Sequence, residues 1–431
     1  GGRDMANKHF IISLDAGYNG FKTIVGEKTG EGTIQLMKFH DAANIEKCNM
    51  SRKITDLKEE DPLYVRATNP VTGERVYYVG GYPAKNRYDF TNEFKTDDEF
   101  YDAIDEKNEG GKYARFNTER FKMLVLASLF KAVNKLSGKS EELSKIMDNG
   151  NNFDLTIIVL VPHATLENDD IKNSIINCIR NKDFHKNYMF SIDGIKDEEM
   201  YELPEIIERA EILFESQTYA SITCEVLNII DEKLAGKKQV TDEDRNREFS
   251  SNLPAFAWDC GGKTIGIARV EEDATINSKS ESNTDYAITN ICMNTSNSIY
   301  KQYKYRIPQE KIEAYATEER IINDFNEEGE PVIIKIAPEY KKQIQATIKE
   351  LFEYSMKEYK REMLTSNTFI VSGGAGELYA DKLLKYVREA VAENFGEEVA
   401  DKKNYCKAKG KYGDVENGSI YSIATGGLLL A

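Results

Sequence analysis

Two short runs in the chain carry residue types that could bind a metal ion and a polyphosphate. They are Asp15-Ala16-Gly17-Tyr18-Asn19-Gly20-Phe21-Lys22 and Asp259-Cys260-Gly261-Gly262-Lys263-Thr264. In each run an aspartate follows an apolar segment, so its carboxylate would stand at the end of a strand and could hold a hydrated cation. The glycines that follow let backbone N–H groups approach an anion closely. The repetition makes nucleotide binding the leading hypothesis.

A third glycine-rich run, Ser372-Gly373-Gly374-Ala375-Gly376, lies between a predicted strand and a predicted helix. A helix N-terminus without side-chain bulk is a surface on which an adenosine could lie flat. The run differs from the GxGxxG pattern, and the acidic residue that follows that pattern in a dinucleotide fold is missing. A Rossmann dehydrogenase is therefore excluded. Each run alone is also compatible with an ordinary tight turn.

Composition limits the classes of protein that these runs could belong to. The chain has 431 residues, enough for two or more domains, and a formal net charge of −16. A protein this acidic is a poor direct ligand for DNA or anionic lipid, so any function on nucleic acid would require an adaptor protein. The six cysteines form no CxxC pair, which favours reduced thiols in a cytoplasm. Residues 1–4 precede Met5 and are expected to be a cloning scar.

Apolar periodicity predicts the elements that would position the three runs. Strands are predicted at 10–14, 21–25, 33–39, 63–68, 75–79, 155–161 and 368–371, with a strand hairpin over 255–270. Helices are predicted at 117–136, 169–180, 211–233, 340–363, from about 378, and at 421–430. Polar loops or crossings are predicted at 92–112, 235–251 and 271–286. Apolar strands followed by long helices indicate an α/β protein with covered sheets, built from two similar halves with the ligand between them.

The three glycine runs resemble the phosphate 1, phosphate 2 and adenosine motifs of the actin, Hsp70 and sugar-kinase superfamily. Residues 211–225 and 421–427 resemble its two connecting helices and stand in the same order. The resemblance implies an actin-like (ribonuclease H-like) α/β fold whose duplicated domains flank a nucleotide cleft. It also implies one domain of residues 5–235 plus 415–431 and a second of residues 236–414.

The run Phe214-Glu215-Ser216-Gln217 resembles the Pro-Glu-Ser turn of the plasmid-segregating actins of the ParM type. The resemblance implies that Glu215 orients the attacking water, with Gln217 as the second candidate. It further implies ATP or GTP with Mg²⁺ as cofactors, and Asp15 and Asp259 as residues that hold the metal through water. The implied nucleotide contacts are Gly17, Tyr18, Asn19, Gly20, Lys22, Gly261, Gly262, Lys263, Thr264, Gly373, Gly374, Ala375 and Tyr379.

As a whole, the resemblance implies a cytoplasmic bacterial ATPase that assembles into helical filaments and segregates plasmid DNA through a DNA-bound adaptor. It implies neither direct nucleic-acid binding nor membrane binding. Two positions depart from the family pattern: Lys263 stands where small residues are usual, and Gly266 stands where an aspartate is frequent. Two alternatives stay open: a small-molecule kinase of the same superfamily, and a nucleotide switch that does not polymerise. A kinase would need an aspartate general base, which cannot be singled out in the sequence.

Overall fold

The computed structural model forms two compact units, residues 1–217 with 427–431 and residues 218–426. We call them unit 1 and unit 2 and describe each by itself. The residues that the structure describes are 8–17, 21–28, 34–38, 46–48, 63–80, 116, 119–137, 153–194, 196–235, 237, 241–412, 415–416 and 421–430. Tyr18, Asn19, Gly20 and the predicted loop at 92–112 therefore lie outside the described residues.

Unit 1 is built on a sheet of five strands in the order β3-β2-β1-β7-β9. Strands β1, β2 and β3 form an antiparallel meander, whereas β7 and β9 run parallel to β1. A second sheet has the order β4-β6-β5-β8. The strands are β1 (Lys8–Ala16), β2 (Phe21–Lys28), β3 (Ile34–Lys38), β4 (Glu46–Cys48), β5 (Leu63–Thr68), β6 (Arg75–Gly80), β7 (Phe153–Val161), β8 (Tyr188–Ser191) and β9 (Glu211–Ser216).

The helices of unit 1 that the structure describes pack on this main sheet. They are α1 (Glu119–Ser137), α2 (His163–Leu166), α3 (Asp169–Arg180), α4 (Lys182–His185) and α5 (Glu205–Arg209). On α1, Leu126, Leu129 and Phe130 are fully buried. The continuous apolar run of β7 is buried from Leu155 to Val161, as expected for an inner parallel strand covered on both faces. Asn168 caps α3 by accepting a hydrogen bond from the backbone of Ile171.

Unit 2 repeats the same sheet pattern, with five strands in the order β12-β11-β10-β15-β16. Strands β10, β11 and β12 form the antiparallel meander, and β15 and β16 are the parallel strands. This repetition confirms the duplication inferred from the glycine runs. The strands are β10 (Ala255–Cys260), β11 (Ile265–Val270), β12 (Glu281–Asn283), β13 (Ile321–Phe325), β14 (Pro331–Lys335), β15 (Thr368–Ser372), β16 (Asn404–Lys407), β17 (Lys411–Tyr412) and β18 (Val415–Glu416).

Unit 2 buries two clusters of apolar side chains. In the larger cluster the single tryptophan, Trp258, is fully buried and donates a hydrogen bond to the Ser355 hydroxyl at 3.0 Å. The remaining helices of the described residues are α6 (Gln217–Leu234), α7 (Asp242–Asn252), α8 (Ile288–Tyr303), α9 (Gln309–Thr317), α10 (Ile336–Glu358), α11 (Lys360–Thr365), α12 (Gly376–Phe395), α13 (Glu397–Asp401) and α14 (Ser422–Leu429). No helix among the described residues is long and apolar enough to span a membrane.

Three stretches differ from their sequence-based predictions. Residues 211–216 form β9 instead of the start of a helix, because they pair in parallel with β7 over its last six residues. The predicted polar crossing contains α7, which Thr241 caps through a reciprocal pair of hydrogen bonds with Asp244. The predicted polar insertion contains β12, which extends the main sheet of unit 2.

The boundaries between the two units fall after residues 217 and 426. The domains expected from the sequence end instead at residues 235 and 414. Packing of α6 accounts for the first difference. Its Ile222, Val226 and Ile230 are buried in the smaller apolar cluster of unit 2 together with Leu253 and Ala255. Helix α6 after its first residue therefore belongs with unit 2.

Candidate functional site

The candidate site of unit 1 is centred on the carboxylate of Asp15, which is only 1% exposed. Its Oδ2 atom accepts a hydrogen bond from Lys22 Nζ at 2.8 Å. Its Oδ1 atom accepts one from Gln217 Nε2 at 2.6 Å. A buried carboxylate needs such partners, because an unpaired charge in the interior is costly. The structure thus brings Asp15 and Lys22, two residues of the first run, together with the distant Gln217.

Strand register explains why these residues meet. Asp15 lies opposite Lys22 in the β1–β2 hairpin and opposite Leu160 in the parallel β1–β7 ladder. Leu160 in turn lies opposite Glu215. Residues opposite one another in a sheet point to the same face, so these four form one row across the sheet. The row stands at the carboxyl ends of β1, β7 and β9, the edge at which open α/β sheets bind ligands.

Glu215, the predicted water-orienting residue, is the penultimate residue of β9 instead of part of a connecting helix. Its side chain is half-buried, and burial raises the pKa of its carboxyl group, while the backbone N–H of Ser216 acts in the opposite sense. Gln217, the second candidate, is the first residue of α6 and directs its amide to Asp15. In this arrangement Gln217 donates to the aspartate, and of the two side chains only the Glu215 carboxylate is a group that can accept a proton.

The candidate site of unit 2 is the turn between β10 and β11, with Asp259 at the end of β10. Gly261 N–H donates to the Thr264 carbonyl at 2.9 Å and closes the turn. A Cβ atom at Gly261 would come within 2.7 Å of that same carbonyl oxygen, so the position has no room for a side chain. The Gly262 carbonyl accepts hydrogen bonds from the Thr289 backbone at 2.9 Å and the Thr289 hydroxyl at 2.8 Å, which anchors the turn to α8. Lys263 and Thr264 are partly exposed beside it.

The third glycine run lies directly against Asp259. Gly373 has a φ of +85°, and a Cβ atom there would overlap Asp259 Oδ1 and the Cys260 carbonyl, so both conformation and space demand glycine. The Ala375 N–H donates to the Cys260 carbonyl at 2.8 Å. Gly374 is exposed, and a Cβ atom there would meet nothing within 4 Å. The turn between β15 and α12 therefore leaves a bare backbone surface next to an aspartate.

Tyr379, predicted to contact the nucleotide, is fully buried in the larger apolar cluster of unit 2. Its hydroxyl donates to the Tyr286 carbonyl at 2.6 Å, and burial raises the pKa of its phenol. The ring therefore packs beneath the glycine run and exposes no surface in this structure. A contact of Tyr379 with nucleotide stays a prediction.

One residue near the candidate site escaped the sequence analysis. Thr218, in the first turn of α6, is only 6% exposed. A Cβ atom at Gly266, which lies opposite Asp259, would come within 2.9 Å of its hydroxyl oxygen. The sequence contained one indication of Thr218. Gly266 stands where the family pattern often has an aspartate, and a glycine opposite Asp259 leaves space for another polar group.

The arrangement of donors suits a metal that arrives with a phosphate ligand. Among the residues that the structure describes, no group of three or more His, Cys, Asp or Glu side chains could hold a metal ion by itself. Mg²⁺ is usually held by one or two carboxylates together with water and substrate phosphate oxygens. Asp15 in unit 1 and Asp259 in unit 2 each lie near the carboxyl end of a strand and are ligands of that type.

Comparisons with known proteins identify the fold. No family model and no curated protein sequence matches the chain. Among solved structures, a non-polymerisable quadruple mutant of pCBH ParM is 14% identical, with a TM-score of 0.56 and 98% of each chain covered. A 15-stranded ParM filament from Clostridium botulinum is 14% identical, with a TM-score of 0.52 and 98% of each chain covered. An archaeal actin homologue, Ta0583, is 12% identical, with a TM-score of 0.52 and 97% of this chain covered against 98% of its own. Since these matches span almost the whole chain, it has the actin-like α/β fold of the ParM type.

Proposed function

We propose that the chain is an actin-like ATPase that binds ATP or GTP with Mg²⁺, assembles into helical filaments, and segregates plasmid DNA through an adaptor. The observation that carries the proposal is the buried Asp15 carboxylate, held by Lys22 and Gln217 at the carboxyl ends of three parallel strands. The fold and the repeated Asp-glycine turn of unit 2 support it. A structural ion pair alone would not explain why, in both units, the first strand of the meander has an aspartate near its end and a glycine-containing run after it.

The proposed chemistry is transfer of the γ-phosphoryl group to water, which depends on positioning and electrostatics without a covalent intermediate. Backbone N–H groups of residues 16–20 and 261–264 would bind the phosphates, and Lys22 would balance their negative charge. Bound Mg²⁺ would neutralise charge that develops on the phosphate oxygens. Gln217 keeps Asp15 oriented in the described state, so the aspartate can accept hydrogen bonds from metal-held water without rotating.

Glu215 is the proposed water-orienting base. It stands in the same row as Asp15, one strand beyond β7. Burial raises the pKa of its carboxyl group, and a carboxylate whose pKa lies nearer to the working pH accepts a proton more readily. Its proposed task is to hold a water in line with the γ-phosphorus and to take up a proton as the water attacks.

Filament assembly is the part of the proposal that goes furthest beyond the fold. A head-to-tail contact between copies that does not close on itself generates a helical polymer. The net charge of −16 opposes direct contact with DNA phosphates, so an adaptor with a basic surface would connect the polymer to plasmid DNA. Nucleotide hydrolysis would weaken the contacts between copies and let the polymer shorten.

The catalytic part is tested by phosphate release from Mg-ATP and Mg-GTP, with nucleotide affinity measured in parallel. We expect Asp259→Ala to abolish phosphate release, because it removes the carboxylate of the unit 2 turn. Asp183→Ala is the matched control, since that aspartate is exposed on α4 and belongs to none of the three glycine runs. Full turnover by Asp259→Ala would overturn the metal assignment. Phosphorylation of a small molecule without phosphate release to water would instead indicate a kinase, and nucleotide-dependent binding of a partner without any polymer would indicate a switch.

A further inference from the structure

The two-stranded sheet of β13 and β14 in unit 2 has one face packed on the core and one face open to solvent. Side chains alternate between the two faces along each strand. On the inner face, Ile334 is 1% exposed, and Ile322 and Val332 pack against the larger apolar cluster. Asp324, also on the inner face, accepts a hydrogen bond from the Tyr305 hydroxyl at 2.8 Å. These contacts hold the hairpin on unit 2 and set which face is turned outward.

The outer face carries large apolar side chains where a solvated sheet face usually carries polar ones. Phe325 and Ile333 are each 67% exposed, and Ile321 is 51% exposed. Ile333 lies opposite Asn323, so it is a diagonal neighbour of both Ile321 and Phe325 across the two strands. Single exposed apolar residues are common, whereas a contiguous group marks an interaction surface. We call Ile321, Phe325 and Ile333 the hairpin patch.

Acidic side chains border the hairpin patch. Glu318 and Glu319 precede β13, Glu328 and Glu330 lie in the turn between the strands, and all four are exposed. None of these four forms an ion pair with another residue that the structure describes. Residues 318–335 carry six acidic and two basic side chains, a net charge of −4. A basic partner would be attracted to this surface, whereas a second copy of the chain, itself with a net charge of −16, would on average be repelled.

We propose that the hairpin patch docks a partner protein through a short segment in which apolar side chains are flanked by Lys or Arg. The inference rests on the proposed function, because it gives the adaptor a surface to bind. An adaptor that contacts DNA phosphates must itself carry clustered Lys and Arg. The apolar side chains would supply most of the affinity, since binding energy concentrates in the buried centre of an interface. The surrounding glutamates would steer the approach of a basic segment and select against an acidic one.

The docking surface is tested on the full chain without nucleotide, by fluorescence anisotropy of a labelled amphipathic helical peptide of leucine and lysine. The same peptide with glutamate in place of lysine is the control for charge. We expect the lysine peptide to bind, and Phe325→Ser with Ile333→Ser to raise its Kd about tenfold or more. Val71→Ser removes a 90% exposed apolar side chain from unit 1 and should leave the Kd unchanged. No binding of the lysine peptide, equal binding by the patch variant and wild type, or equal binding of the glutamate peptide would overturn the inference.

The contribution of the acidic border is tested with Glu328→Lys combined with Glu330→Lys. We expect this variant to raise the Kd of the lysine peptide about fivefold at about 0.15 M salt and to weaken its salt dependence. The matched control is Glu198→Lys combined with Glu202→Lys, which reverses two exposed charges of unit 1. Equal effects of the two variants would show that only the overall charge matters and would contradict a local acidic border.

Two further measurements separate this surface from a contact between copies and from the nucleotide site. Self-association of the wild type that the Phe325→Ser, Ile333→Ser variant loses, with or without nucleotide, would assign the hairpin patch to a second copy and overturn the inference. Phosphate release from Mg-ATP by this variant should equal that of the wild type. A wild-type chain that bound the lysine peptide at the hairpin patch but released no phosphate would overturn the proposed function and leave the docking surface in place.

Discussion

At the scale of single residues, the Asp15–Lys22 ion pair links folding stability to the proposed chemistry. Asp15 is 1% and Lys22 13% exposed in their side chains, so the pair is largely shielded from water. Removing one partner from such a pair leaves a buried charge without compensation. The same carboxylate must stay ionised to serve a metal, which ties the proposed activity to this contact.

We expect Lys22→Met to destabilise unit 1 by about 3–5 kcal/mol, because Asp15 would lose its cationic partner in a buried position. Urea unfolding followed by circular dichroism measures the change. The double variant Lys22→Met with Asp15→Asn removes both charges and should recover part of the loss. If the double variant lost as much free energy of unfolding as the two single variants lose together, the ion pair would not couple the two residues.

Replacing Glu215 with glutamine should affect the folding stability and the phosphate release in different ways. Since burial raises the pKa of the carboxyl group, ionisation costs the folded protein stability as pH rises through that pKa. Below pH 4.5, the ordinary pKa of a glutamate, the group is protonated in both folded and unfolded states and this cost is absent. We therefore expect the Tm of Glu215→Gln relative to wild type to increase from pH 4 to pH 7, while phosphate release is lost. A Tm difference independent of pH would contradict the assigned burial effect.

At the scale of secondary structure elements, close helix packing depends on two adjacent glycines of α14. A Cβ atom at Gly426 would overlap the backbone carbonyl of Ala220 on α6, whereas one at Gly427 would meet the side-chain atoms of Ser13 and Leu160. Backbone cannot move aside cheaply, but side-chain ends can rotate. We expect Gly426→Ala to cost about 3 kcal/mol or more and Gly427→Ala clearly less, as measured by urea unfolding. Equal costs would contradict the packing of α14 on α6.

The apolar periodicity of the sequence predicted most elements of the main sheets, because their strands carry long apolar or alternating runs. The strand β9 was missed since it continues into α6 without a turn, and Glu211 to Leu234 then resembles one long helix. The strand β12 has three polar residues, Glu281 to Asn283, and only pairing with β11 makes it a strand. Among site residues, Asp15 and Lys22 were predicted from the turn, but the contact of Gln217 with Asp15 depends on tertiary structure that no local pattern contains.

At the scale of the whole molecule, burial makes the five thiols that the structure describes poorly reactive. Burial raises the pKa values of Cys178, Cys292 and Cys406 to about 12, and those of Cys224 and Cys260 well above the ordinary value. Thiolate is the reactive form, so these five groups are almost wholly protonated at pH 8. We expect a thiol reagent at pH 8 to label at most one cysteine per folded chain within minutes and all six in urea. Rapid labelling of two or more in the folded protein would contradict the described packing.

The duplication of the sheet is the feature of the whole molecule that most directly supports the proposed nucleotide-dependent ATPase. Each unit has an aspartate near the end of the first strand of its meander, and a glycine-containing run follows it in the sequence. Runs of this kind can offer backbone N–H groups to the phosphate groups of a ligand. The proposed polymer would use the state of that ligand to control contacts between copies.

Sedimentation combined with negative-stain electron microscopy tests this central claim most directly. The purified chain is incubated without nucleotide, with Mg-ATP and with a non-hydrolysable ATP analogue, and samples are taken as ATP is consumed. We expect filaments in the pellet with either nucleotide, shortening as ATP is exhausted and persisting with the analogue. A chain that hydrolyses ATP yet forms no sedimenting polymer at any protein concentration would contradict the account.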